Sequence, residues 1–174
     1  MALTKLGAGA YRSGSIIQTQ YTQFTGTNTV SVTNNTQAIL TDLTVNITPN
    51  FSNSIIHLQA GVFCEFGSST NNYNHMFYFL RDSTKLGHAT AGSRLTGISM
   101  ATRTYEAADA GSTGDVIRFD YFDSPSSTSQ ITYKVALITG GASETFHLNK
   151  TVNDTNDDDH ERGISCIIAQ EIAG

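Results

Sequence analysis

The chain has 174 residues, 14% of them charged, with a net charge of −5 and a pI near 5.4. That length fits one domain, able to bury about 70% of the surface its unfolded chain exposes. Low charge with an acidic balance excludes a general affinity for nucleic acid or anionic membrane, since both need clustered Lys and Arg. No run approaches the ~20 apolar residues of a membrane span, and "MALTKLGAGAYRSGS" holds no apolar core of a signal peptide. Synthesis in a reducing cytoplasm is expected.

Period-two alternation dominates from there on. Residues 1–14, with Gly7, Gly9 and Gly14, read as a short N-terminal arm, and 15–174 as one domain. "SIIQTQYTQ" (Ser15 to Gln23) predicts the first strand and Thr29 to Thr33 a short second one. Ile39, Leu43, Val45 and Ile47 mark a third, stopped by Pro49. "IIHLQAGVFCEF" sets Ile56, Leu58, Ala60, Val62, Cys64 and Phe66 on one face and is the cleanest core strand. "NHMFYFLRD" is apolar on both faces, with Met76, Tyr78 and Leu80 against Phe77 and Phe79. Such a strand is expected to be covered on both sides, by a second sheet and by another subunit. Met76, Phe77 and Phe79 are therefore the candidate trimer contacts.

Further strands fit Leu95 to Glu106, Val116 to Phe122, Ile131 to Ile138, Thr145 to Leu148 and Ile164 to Ile172. About ten short strands with turn signals between them, and no convincing amphipathic helix, predict an all-β protein. Its fold would be an antiparallel sandwich, jelly roll or barrel. Cys64 and Cys166 both occupy apolar phases and read as two buried thiols rather than a disulfide scaffold.

Candidate chemistry is sparse. In "NDTNDDDHERG" (Asn153 to Gly163), Asp154, Asn156 and Asp158 alternate as in a calcium loop. An EF-hand would need glycine where Asp159 stands and glutamate where Ser165 stands. The run, with Asp154, Asp157, Asp158 and Asp159 as its candidate ligands, reads as a solvated acidic loop in contact with Arg162, Lys150 or water. The five histidines show no zinc-ligand spacing. "GISMA" and "GISCI" lack the second glycine of a nucleophile elbow, and "GGAS" lacks the lysine of a phosphate loop. No catalytic residue, metal or cofactor is expected. Recognition is expected in the loops "GSSTNNYN", "TYEAADAGSTG" and "NDTNDDDHERG", with Tyr73, Asn74, Tyr105 and Asp109 as candidate binding residues.

Five segments, in order, resemble bacteriophage virion proteins of the tail-fibre-like kind found in marine, often cyanobacterial, phages. They are "GSIIQTQY" (Gly14 to Tyr21), "LTVNITPNFSNSIIHLQAGV" (Leu43 to Val62), "FYFLRDSTKLG" (Phe77 to Gly87), "FDYFDSPSSTSQITYKVALI" (Phe119 to Ile138) and "RGISCIIAQEIAG" (Arg162 to Gly174). The opening "MALTKL" agrees with them. The resemblance implies a jelly-roll sandwich similar to tumour-necrosis-factor-like trimeric knobs, a homotrimer, and a place on the virion among other virion proteins. It implies no catalytic residue. A fibre or knob appendage touching host glycans is the expected role. A capsid decoration protein and a free lectin-like trimer are the alternatives.

Overall fold

The computed structural model describes residues 7, 10–67, 74–101 and 111–174. The described residues form eleven strands: β1 (Ile16–Phe24), β2 (Asn28–Val32), β3 (Ala38–Ile47), β4 (Ile55–Phe66), β5 (His75–Arg81), β6 (Thr84–Lys85), β7 (Ser99–Met100), β8 (Asp115–Asp123), β9 (Ile131–Thr139), β10 (Glu144–Leu148) and β11 (Ser165–Ile172). No α-helix occurs among the described residues. The expected all-β sandwich is what the chain forms: two antiparallel sheets packed face to face.

The first sheet is ordered β1-β11-β4-β10-β2, with β8 along the other edge of β4. β4 is long enough for two partners end to end on one side, β11 against Ile55 to Gly61 and β10 against Cys64 to Phe66. The second sheet runs β3-β9-β5-β6, with β7 also on β5. The core lies between the sheets. Ile56, Leu58, Ala60, Val62, Cys64 and Phe66 of β4 all face it, and so do Phe77 and Phe79 of β5 at 0% exposure. Apolar burial of this kind contributes about 1.5–3 kcal/mol per large side chain.

Three details depart from the sequence reading. The second apolar face of β5 is covered by the chain itself. Ile98 packs against the Tyr78, Leu80 and Ala136 cluster, and Lys85 Nζ lies 4.4 Å over the Tyr78 ring. The covering segment, residues 84–98, is fastened to β5 by Leu86 N donating to Phe79 O and Ile98 N to Phe77 O, both at 2.8 Å. Phe77 and Phe79 are thus core residues, not surfaces for a neighbouring subunit, and Met76 is half-buried beside the cover. The strand expected at Leu95 to Glu106 is reduced, within the described residues, to Ser99–Met100. Gly87 and Gly92 turn the preceding chain at φ 124° and 63°, and Ile98 serves as cover while Leu95 lies against Gly140.

The third departure is in β11. Its inward phase holds Ser165, Ile167, Ala169 and Glu171, and Cys166 lies half-buried on the outer face. Cys64 alone is a core thiol, and burial pushes its pKa up.

Glu171 and Asp123 face inward at the same end of the sandwich, one on each side of Ile56. Glu171 accepts hydrogen bonds from Gln18 Nε2 (2.7 Å), Ser54 Oγ (2.7 Å), and Asn50 N and Nδ2 (2.6 and 2.8 Å). Burial pushes its carboxyl up, but these donors outweigh that and hold it below the ordinary value. Asp123 takes two contacts from Arg81 Nη1 (2.9 and 3.1 Å) and one from Tyr133 Oη (2.7 Å), tying β8 to the opposite sheet. Burial and the Asp123 carboxylate push the Tyr133 phenol up. A buried carboxylate persists only when its lone pairs are satisfied in this way.

Candidate functional site

The described parts of the expected recognition loops, Gly67, Asn74, 111–114 and 153–163, lie toward the opposite end. There β4 finishes, and β5, β8, β10 and β11 begin. Ile16, where β1 starts, pairs with Ile172 at the far end, beside Glu171. Tyr73, Tyr105 and Asp109 lie outside the described residues. Asn74 is exposed, and its carbonyl accepts from Gly140 N at 2.9 Å.

Buried acids organise this end too. Glu65 occupies an outward phase of β4 yet is only 3% exposed. Its carboxylate accepts from Thr113 N (2.9 Å), Thr113 Oγ1 (2.6 Å) and Val152 N (2.5 Å), which joins two of the loops. Ser112 Oγ donates to Glu161 at 2.8 Å and Asn153 N to Gly111 O at 3.0 Å, so the same loops meet again further out. Gly163 is needed where the acidic loop returns: a Cβ there would sit 2.4 Å from Phe63 Cγ.

His75 and Glu144 form a second buried pair, Nε2 to Oε1 at 2.8 Å, with the imidazole stacked 3.6 Å from the Phe66 ring. His75 Nδ1 and Glu144 Oε2 have no hydrogen-bond partner among the described residues. Beside this pair opens a cleft of about 490 Å³, lined by Asn35, Asn74, His75, Met76, Arg94, Leu95 and neighbours. A second cavity of about 300 Å³ adjoins it through Met76, Arg94 and Leu95 and adds His88. The sequence reading singled out Asn74 here and missed Asn35, Arg94 and Gly140. Its only available signals were the paired turn residues "NN" and "GG", which mark bends and not ligands.

The acidic loop is largely self-satisfied. Asp154 takes both Arg162 Nε (2.8 Å) and Nη2 (2.9 Å), with Lys150 Nζ at 3.9 Å. Asp157 pairs with His160 and accepts from Thr155 Oγ1 at 2.9 Å, and the His160 hydrogen bond holds its carboxyl below the usual range. Asp158 and Asp159 are exposed. Among the described residues no three His, Cys, Asp or Glu side chains converge as a metal site.

Away from Phe63 and Glu65, which lie under the loop end, the outer face of the first sheet is not covered by the described residues. Tyr21 is 69% exposed, Phe122 57% and Val116 42%. His57 stacks on Phe122 at 4.2 Å and lies 3.7 Å from Asp120. At the centre of the face Gly61 leaves a shallow dent of about 260 Å³, bordered by Arg118, Asp120, Cys166 and Ile168. Arg118 is exposed. No described helix is long and apolar enough to cross a membrane.

No protein-family model and no curated protein matches the chain. Among solved structures, T=1 particles derived from infectious bursal virus align with 91% of this chain at 12% identity and a TM-score of 0.44. The Gx strain of infectious bursal disease virus aligns with 92% at 12% identity and 0.43. The VP2 subviral particle of infectious bursal disease virus aligns with 90% at 11% identity and 0.43. This chain spans 37–39% of the length of those chains. Likeness of that extent says nothing of what this chain does.

Proposed function

We propose that the chain is a bacteriophage virion structural protein. It is a jelly-roll domain that assembles as a homotrimer in the host cytoplasm and stands on the particle as a fibre- or knob-type appendage. It catalyses no reaction and uses no cofactor. The observation that carries the reading is where the phage-like segments meet. Gln18, Asn50, Ser54 and Glu171 come from three of them and share one buried carboxylate. Arg81, Asp123 and Tyr133 come from the other two and share the second. The segments that resemble phage proteins are thus the ones that close this sandwich. Support for the jelly-roll form is that β3, β4, β5, β8, β9 and β11 alternate between the two sheets in chain order.

The trimer contact in this reading is the open face of the first sheet, occupied by further copies of the chain. Each protomer carries Arg118 and Asp120 on one face with the exposed Tyr21, Val116 and Phe122, an apolar surface bearing both signs that another copy of the chain can meet. The loop end then stays free for host glycan. Antibody labelling of phage particles in the electron microscope tests the assignment. Label at the tail is expected. Even label over the head would replace the appendage with a decoration role, and unlabelled particles would overturn the virion reading.

A further inference from the structure

The cleft beside Asn74 contrasts in charge with the chain as a whole. The chain carries 15 acidic residues and a net charge of −5. Neither this cleft nor the adjoining cavity has a carboxylate among its described lining residues, and the two share Arg94. Among the described residues the Arg94 guanidinium makes one weak contact, Nη1 to Ala91 O at 3.4 Å, which leaves most of its donors open to them. His75 lines the cleft, and its partner Glu144 lies behind it, outside the described lining. Arg94 is therefore the one guanidinium or ammonium group that the described lining presents.

Its other walls suit a sugar ring. Met76, Leu95 and the 50%-exposed Met100 offer an apolar surface for C–H groups. Asn35, Asn74 and Ser93 offer amide and hydroxyl groups for ring hydroxyls. Gly140 keeps the floor open: a Cβ there would lie 2.8 Å from Leu95 Cδ1 and 3.5 Å from Asn74 Cβ. The volume of about 490 Å³ lies within the range of small-ligand sites. A bare phosphate would leave the methionine and leucine wall unused.

We infer that this cleft binds one hexuronate unit of an acidic polysaccharide, its carboxylate on Arg94 and its ring against Met76, Leu95 and Met100. The inference rests on the proposed glycan-facing role of the loop end and names the ligand class. The charge-assisted contact to a single carboxylate supplies the discrimination between uronate and neutral sugar.

The test is a titration of the isotopically labelled full chain with sodium D-galacturonate, D-galactose and sodium acetate, followed by backbone amide resonances. Galacturonate is expected to shift Asn74, Arg94, Leu95 and Gly141 saturably, and galactose and acetate to bind at least about tenfold more weakly. Arg94→Ala should weaken galacturonate about tenfold, and Gly140→Ala should weaken it while leaving the charge in place. Arg12→Ala, exposed near the far end of the sandwich, should leave binding unchanged. Equal binding of galactose, unchanged affinity in Arg94→Ala, or no saturable shift would overturn the inference. A responsive cleft in a chain that labels no particle would overturn the virion reading alone. Labelled particles with a silent cleft would overturn this inference alone.

Discussion

The outer faces of the two sheets are both rich in apolar side chains, and only one of them is open. On the second sheet, Tyr78 and Leu80 are almost fully buried beneath the chain's own residues 84–98. On the first, Tyr21, Phe122 and Val116 face solvent. The lesson is that a strand apolar on both faces needs two covers but does not say whose. On β5 the second cover is the chain's own segment.

Substitutions that separate the faces should differ in size. Phe77→Ala empties a core site between the sheets and should cost about 3–5 kcal/mol in urea unfolding. Met76→Ala, one residue away on the outer side, should cost far less. Equal losses would break the assignment of faces on β5.

Glu171→Gln comes next. It removes the charge that Gln18, Asn50 and Ser54 donate to, and should cost about 2–4 kcal/mol. The folded carboxyl sits below its ordinary value, so the stability it contributes is present above the unfolded value of about 4.3 and is lost as pH falls through the folded one. Unfolding measured at neutral and acid pH should show that loss in the native chain and a flatter profile in the variant. Identical profiles would show that the carboxylate contributes nothing there.

Gly97→Ala sharpens the comparison from the side of the cover. Its Cβ would lie 2.8 Å from Phe77 O and 3.2 Å from Met76 Cβ, where the segment meets β5. A loss of about 1–3 kcal/mol is expected, with faster amide exchange in residues 84–98. The Tyr78 phenol, pushed up to about 12 by burial, should fall toward its ordinary value as the cover loosens. Unchanged exchange would mean the cover is not held there.

The smallest effect on the fold is expected from Phe122→Asp on the open face, within about 0.5 kcal/mol for the single chain. The same change should shift sedimentation at micromolar concentration from trimer to monomer. A trimer that survives it would move the contact elsewhere.

Most of the strands were legible because alternation reports a half-buried sheet directly. β4 matches the reading of "IIHLQAGVFCEF" residue for residue, and β8 and β9 match to within one. The polar knots were half legible. Asp123 shares the phase of Ile117 and Phe119, and a carboxylate in an apolar phase signals a buried staple, whereas Glu171 sits opposite Ile164, Cys166 and Ile168 in a strand apolar in both phases, so its side was not legible. Their donors were not legible, since Gln18 and Glu171 are far apart in the chain and meet only when β1 and β11 pair.

Alternation is local, so the sequence by itself determined that the chain is a sheet-former with one facing set of core residues and turn-rich connections. Which outer face is closed, whether Cys166 points in or out, and that Asn35, Asn74, Arg94 and Gly140 border one cleft were decided by tertiary structure alone. Those outcomes depend on which strands become neighbours and where a segment such as 84–98 comes to rest. Side-chain periodicity carries no record of either.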